Sequence, residues 1–559
     1  MLSLLLYQSA SAQVTLKGLD EYPELAAYLQ KTVLDLYKTT EEEPLTPISL
    51  VKAKIKKALE AKGYYDHKLV YHVTPSNSFD VIPGNVFRVA SVAIKGLTGT
   101  LPLAIQAGDT LTAEAVLSAQ NNLIDEIYDT HCFYKLSINH EVVLNKQNNT
   151  AAVIFIIKGD KEAQFGPSIF TGADSIKRSY LASFLAYDEG ACWDPRKIEK
   201  TRAALLDTGL LISINTNLPQ VLPQDKMVAI NYELKERAPR TVRLGARFST
   251  AEGPGVIAEW RHLNYLGEDE DLSVVTQVSS LEQSLALNFS KPRFFSNRQS
   301  LNLSSELERQ DTDAFEAVGF SVQSSISREI NTHWMGSLGL EFEASTVTDQ
   351  DGLEETFALI SAPARFSFDN RDNLLDPHKG YRFLFGFEPF FDVAGESDPF
   401  LKSRVTGSTY FNLSRGKYDP VLAIRGSIGT ILGSDTNSIP ASERFFAGGG
   451  GSVRGFGFQE AGPQDESRDP LGGRSLIETS IELRTKLSSS LGGVVFIDGG
   501  AVYDDIVPDF SEPIFFGAGI GARYFTDFGP IRLDIALPLN EKEQADQSVQ
   551  LYISIGQAF

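Results

Sequence analysis

The chain has 559 residues, with 51 Lys and Arg against 72 Asp and Glu, giving a formal net charge of −21. An acidic chain without a basic stripe lacks the electrostatic footprint of a nucleic-acid binder, and two cysteines cannot build a disulfide scaffold or a Cys-rich metal centre. A mean hydropathy of −0.12, with no apolar run near the roughly 20 residues a membrane-crossing helix needs, excludes a helical membrane bundle. It leaves open a membrane β-barrel, whose strands face lipid only at every second residue.

Residues 1–12 are expected to be the remnant of an export signal. An apolar start leads to Ser9-Ala10-Ser11-Ala12, where Ala10-x-Ala12 suits cleavage before Gln13, although a charged leading region is missing. The bland alternative is a frayed apolar terminus. A repeat follows. Val14-Thr15-Leu16-Lys17-Gly18-Leu19 recurs as Val92-Ala93-Ile94-Lys95-Gly96-Leu97, with a weaker copy at Ile169-Phe170-Thr171-Gly172. The three glycines lie 78 and 76 residues apart, a period that fits three small tandem domains, at 13–85, 86–160 and 161–240. Each is predicted to be β-α-α-β-β. In the third, Asp194 caps a helix that has Pro195 at its first position and Gly209 at its end. Val228, Ile230, Tyr232 and Leu234 then alternate as a strand.

After Arg240 the helical period fades and period two takes over. Leu285, Leu287 and Phe289 alternate with Ser284, Asn288 and Ser290; Ile531, Leu533 and Ile535 alternate with Arg532 and Asp534. About sixteen such segments fill residues 241–559. This predicts an all-β, 16-stranded antiparallel transmembrane barrel behind α+β N-terminal domains. One connection, residues 433–473, is far longer than the others, and it carries Arg444-Phe445-Phe446-Ala447, Gly448 to Gly451, then Ser452-Val453-Arg454-Gly455-Phe456. Its aromatic residues argue for packing rather than solvation, and no Gly-Lys-Ser/Thr follows to cradle a phosphate. The seven His are scattered, so neither a metal nor a cofactor is expected.

Val453-Arg454-Gly455-Phe456 resembles the loop signature of the outer-membrane insertase superfamily, which includes BamA and TamA. The turn from Asp369-Asn370-Arg371-Asp372-Asn373 to Lys379-Gly380-Tyr381-Arg382 and the stretch Gly529-Pro530-Ile531-Arg532-Leu533-Asp534 resemble two further parts of it. The resemblance implies that the loop folds back into the barrel and that Arg454 meets acids on the inner wall, here Asp498 and Glu482. A guanidinium held there needs a carboxylate partner, because an unpaired buried charge is costly. The last strand, with Val549, Leu551, Ile553 and Ile555 in phase, ends in Phe559, similar to the C-terminal signal of outer-membrane proteins. Barrel closure requires that strand to pair with the first one. Leu244, Gly245, Ile553 and Gly556 are the expected members of a weak lateral seam, since glycine weakens strand packing.

The resemblance further implies that the small domains are POTRA domains in the periplasm. Three of them ahead of sixteen strands resembles the TamA branch, which assists assembly of autotransporters and other outer-membrane proteins. The implied partners are a TamB-like inner-membrane-anchored periplasmic protein, unfolded outer-membrane protein clients and outer-membrane lipid. A two-partner secretion pore or a BamA-like assembly factor is the alternative. A passive channel needs neither the N-terminal repeats nor Arg454. No Gly-x-Ser-x-Gly or His-Glu-x-x-His points to an enzyme. Cys132 and Cys192 fall in the second and third domains, where a bridge and two isolated thiols both remain open.

Overall fold

Three short three-stranded sheets follow one another along the N-terminal chain, each with a parallel pair and the first two with an antiparallel pair beside it. The computed structural model describes residues 14–39, 47–73, 77–97, 101–414, 418–510, 513–526, 529–540 and 549–555. The expected export signal, Gly556 and Phe559 therefore lie outside the described residues.

The repeat has a clear structural cause. Gly18, Gly96 and Gly172 end the first strand of each sheet with φ of +80°, +96° and +80°. A Cβ there would come within 2.7, 2.0 and 2.3 Å of the carbonyl oxygens of Val81, Ile157 and Leu234. These positions therefore combine a left-handed turn with a close backbone approach to the neighbouring strand, and glycine alone suits both.

The first sheet carries two helices, Pro23–Thr39 and Ile48–Ala61, whose Leu29, Val51, Ile55 and Leu59 pack with Phe79 and Val81. The third has a short helix, Arg178–Ala182, and a longer one, Pro195–Asp207. The second departs from the predicted pattern. Among the described residues it has one helix, Ala113–Thr130, with Thr112 accepting from the Ala115 amide at 3.1 Å as its cap. The segment before it contains Pro102 and Gly108 and reaches the core as irregular chain, burying Ile105 and Leu111.

The described chain forms two compact units. One contains the residues up to Gly172 with Ala182–Asp207 and Ser213–Leu234; the other contains Ala173–Leu181, Thr208–Ile212 and everything from Lys235 onward. In the first unit a disulfide joins Cys132 to Cys192, with the Cα atoms 5.2 Å apart. Around it, Arg196 reaches Asp194, Asp125 and Asp129 at 2.9, 3.0 and 2.6 Å. Tyr134 also packs on Trp193.

The second unit is a closed antiparallel barrel running from Arg240–Ser249 to Gln550–Ile555. It has sixteen strands, because Glu354–Ser361 and Ala364–Asp369 are two halves of one. Both halves pair with Trp334–Asp349 in one continuous register, Ser361 opposite Glu341 and Ala364 opposite Leu338. The interruption falls at Ala362-Pro363, where proline removes a ladder donor without shifting the register. Alternation sorts the walls. Leu285, Leu287, Leu303, Ile520 and Val495 lie exposed on the outside, while Glu478, Glu482, Asp498, Arg523 and Asp534 are buried within. An outer face this apolar suits hydrocarbon rather than water. Several strands exceed the expected length, up to the 16 residues of Trp334–Asp349.

Candidate functional site

The long connection between Val421–Leu432 and Ser475–Lys486 folds into the barrel. Its Ile439, Phe445, Ala447, Val453 and Phe456 share an apolar core with inward residues of the wall, including Phe315, Phe390, Leu476, Val502 and Phe515. It enters at the end of the barrel opposite the one where Arg240 starts the first strand. A cavity of about 550 Å³ remains between Phe445 and Phe446 of the loop and wall residues such as Arg247 and Glu282.

Arg454 of this loop is 2% exposed. Its Nε and Nη2 donate to the two oxygens of Asp498 at 2.6 and 2.9 Å, the fork geometry that suits a guanidinium to a carboxylate. Nη1 donates to Asp534 Oδ2 at 3.0 Å and lies 2.7 Å from Glu482 Oε1. Ser480 Oγ donates to Asp498 at 2.6 Å, and the guanidinium stacks 3.4 Å from the centre of the Phe496 ring. The backbone packs as tightly: a Cβ on Gly517 would lie 1.8 Å from the Arg454 carbonyl oxygen.

The surrounding charges form a second layer. Arg484 pairs with Glu482 at 2.8 Å, while Arg523 and Arg532 both pair with Asp534. Four guanidinium groups thus face three carboxylates in a buried cluster. Such a cluster persists only when its members are mutually paired, since a lone charge there would carry the full desolvation cost. A neighbouring group, Glu478, is met by Arg404 at 2.6 Å, by Arg425 at 3.5 Å and by the Ser452 hydroxyl. Arg425 and Arg532 also donate to the carbonyls of Gly451 and Gly450.

The structure therefore brings Arg454 together with Asp498 and Glu482, and Asp498 points inward in phase with Phe496. Sequence reasoning missed Asp534, Ser480 and Tyr552. Val453 packs in the core, the Gly455 amide donates to the Tyr552 hydroxyl at 3.1 Å, and Phe456 packs edge-on against Phe515. The turn from Asp369 to Arg382 is held by its own polar groups: Asp372 accepts from the His378 and Lys379 amides at 2.9 and 3.1 Å.

The seam is thin. The first strand pairs with the second at ten positions, from Arg240 opposite His262 to Ser249 opposite Gly253. With the last strand it pairs at two among the described residues, Phe248 opposite Ile553 and Ser249 opposite Tyr552. Thr250 adds an amide bond to the Leu551 carbonyl at 3.0 Å and accepts from the Leu551 amide at 3.0 Å. Of the expected seam members, Ile553 is paired across it, opposite Phe248; Leu244 and Gly245 lie on the first strand, and Gly556 lies outside the described residues. Leu244 and Phe248 share a face, so alternation alone does not say which of them Ile553 meets; the stagger of the closed barrel does.

Among the described residues no group of His, Cys, Asp and Glu side chains is arranged to hold a metal ion.

A family profile described as the Omp85 superfamily domain matches residues 264–559. The chain is 23% identical over 461 residues to the outer membrane protein assembly factor BamA of Nitratidesulfovibrio vulgaris, covering 79% of this chain and 57% of that protein. It thus spans little more than half the length of that relative. It is 24% identical over 464 residues to a SAM50-like protein of Schizosaccharomyces pombe, covering 73% of this chain and 94% of the relative. Among solved structures, the crystal structure of BamA from Haemophilus ducreyi lacking POTRA domains 1–3 matches with a TM-score of 0.72 at 18% identity, covering 84% of this chain and all of that one. That likeness is one of fold.

Proposed function

The chain belongs to the Omp85 superfamily, and from that premise we propose that it is an outer-membrane protein that assembles other β-barrel proteins, inserting unfolded clients through the seam between its first and last strands. The observation that carries this reading is the seam itself. A wall that elsewhere pairs at many positions per strand pair closes, among the described residues, through two. An internal backbone hydrogen bond contributes a net of about 0.5–1.5 kcal/mol, so the closure seen in the described residues is worth less than the strand pair on either side, with its ten or six paired positions. A freed first strand then offers an edge to which a client strand can add. The inward loop, held by Arg454, supplies a fixed core against which one strand can part without collapse of the barrel.

The test is reconstitution in lipid vesicles with an unfolded outer-membrane β-barrel client, following protease-resistant client over time. Faster folding than in empty vesicles is expected. Bridging Phe248→Cys to Ile553→Cys with a short cleavable crosslinker should abolish the gain, and cleavage should restore it. Equal folding in empty and protein-bearing vesicles would reject the reading.

The finer proposal is a role like that of TamA, in autotransporter assembly with a TamB-like periplasmic partner. It is supported by the sequence resemblance and by three small α/β segments beside a sixteen-stranded barrel. A BamA-like role is the second reading, favoured by the similarity to BamA proteins in sequence and fold. Crosslinking from intact cells through the first small domain separates them. Capture of a long inner-membrane-anchored protein supports the former, and capture of outer-membrane lipoproteins supports the latter.

A further inference from the structure

We infer that Tyr552 is a positioning residue through which the inward loop holds the last strand in place to meet the first. This rests on the seam reading above and adds to it a physical link between loop and seam.

Tyr552 occupies one of the two paired positions of the seam, opposite Ser249. On its other side it lies opposite Asp534, the carboxylate that accepts from Arg454 Nη1. Its side chain points inward and is 2% exposed. The hydroxyl accepts from the Gly455 amide at 3.1 Å and donates to the Phe456 carbonyl at 3.4 Å. These two residues directly follow Arg454 in the loop signature. Tyr552 shares an apolar cluster with Phe496, the ring beneath Arg454, and Ala251 at the tip of the first hairpin packs against that cluster. A Cβ on Gly450 would come within 2.9 Å of the Tyr552 ring, so the glycine run lies directly against it.

One residue of the last strand therefore bonds the loop through its hydroxyl and stands opposite the first strand at Ser249. The two seam strands differ in their support. Tyr552 and Gln550 of the last strand are buried inside, whereas of the ten residues of the first strand only Ser249 is buried. The last strand is thus held from within by the loop, while the first, among the described residues, buries Ser249 alone. Releasing the phenol from Gly455 leaves the last strand, among the described residues, with its ladder to Gly529–Pro538, its two seam pairs and the bonds between Leu551 and Thr250. The loop itself stays fixed by Asp498 and Glu482 on other strands, so Tyr552 is the point at which that fixed core reaches the seam.

The test needs no client. Spin labels on Phe248→Cys and Ile553→Cys report seam width in vesicles, the native cysteines being tied up in their disulfide. Tyr552→Phe removes only the hydroxyl, and loss of its two hydrogen bonds should raise the open-to-closed ratio about tenfold. Tyr410→Phe, at a buried tyrosine of Phe400–Asn412, is the control for hydroxyl loss elsewhere in the wall. In an Arg454→Ala background, where the loop is already released, Tyr552→Phe should add little, because both act through one element. An unchanged distance distribution in Tyr552→Phe would overturn the inference. So would an equal widening in Tyr410→Phe, or an undiminished effect of Tyr552→Phe in the Arg454→Ala background. Failed client insertion beside an intact Tyr552 effect would count against the function and not against this link.

Discussion

Replacing Arg454 by alanine removes the guanidinium that forks onto Asp498, and the cost follows from who is left. Asp534 keeps Arg523 and Arg532, and Glu482 keeps Arg484. Asp498 keeps the Ser480 hydroxyl. The penalty therefore concentrates on one carboxylate that is 1% exposed. Breaking a buried ion pair from one side costs about 3–5 kcal/mol, and that is the expected loss of barrel stability for Arg454→Ala. Arg454→Lys keeps the charge without the fork and should fall between. The reasoning makes a sharper claim about the double variant. Asp498→Asn removes the stranded charge, so Arg454→Ala/Asp498→Asn should be more stable than the sum of the single losses by about 1–3 kcal/mol. Urea unfolding of the protein in lipid vesicles, read by the midpoint at constant slope, measures each term. A loss below about 1 kcal/mol for Arg454→Ala, or strict additivity in the double variant, would show that the loop is held by its apolar contacts alone.

The remaining expectations address other parts of the chain. The Cys132–Cys192 bridge closes a sequence separation of 60 residues, which in the chain-entropy picture stabilises by up to about 4 kcal/mol; Cys192→Ser should make the second and third small domains more sensitive to protease, and unchanged cleavage would reject this. Near the entry to the barrel, the Tyr180 hydroxyl donates to Asp269 at 3.1 Å in a turn that also ties Lys177 to Glu268. Burial, with Glu270 and Asp271 nearby and against the opposing pull of Tyr180 and Arg293, pushes the Asp269 carboxyl up to about 6. A raised carboxyl contributes stability below its unfolded value that is lost as pH rises through the folded one. Protection factors of residues 173–181, with the intrinsic pH dependence of amide exchange divided out, should therefore be higher at pH 5 than at pH 7.5, and Asp269→Asn should erase the difference; identical protection of the unaltered protein at both pH values would contradict this.

Alternation carries most of the fold. It decides which side chains meet lipid and which meet the lumen, and sixteen alternating segments of barrel length leave few other architectures. Pro363 would demote a strand in isolation, yet its two flanking halves keep one register and the count survives. The glycine repeat carries the small domains for an equally physical reason, since each glycine answers a carbonyl of its own sheet. The second helix predicted in the middle domain fails because Ile105 and Leu111 reach the core from irregular chain, where burial overrides local propensity.

The contacts missed at the site share one cause. Alternation gives the face of a residue but not its height along the barrel, and height depends on the stagger with which the sheet closes. Asp534 and Tyr552 are inward by phase in the sequence, beside Leu533 and Leu551 that face out. Nothing in either strand says that both lie level with Arg454, which sits 80 and 98 positions earlier in the chain. That Ile553 meets Phe248 and not Leu244, two residues of one face, is likewise a matter of height. Arg454, Asp498 and Glu482 were reachable because a motif carried the height information that alternation lacks. It follows that in such a barrel the side chains most worth testing are inward polar groups within two strands of the seam. Those are the groups whose alignment is set only when the first and last strands meet, and Tyr552 and Asp534 are the pair at which this chain makes that alignment.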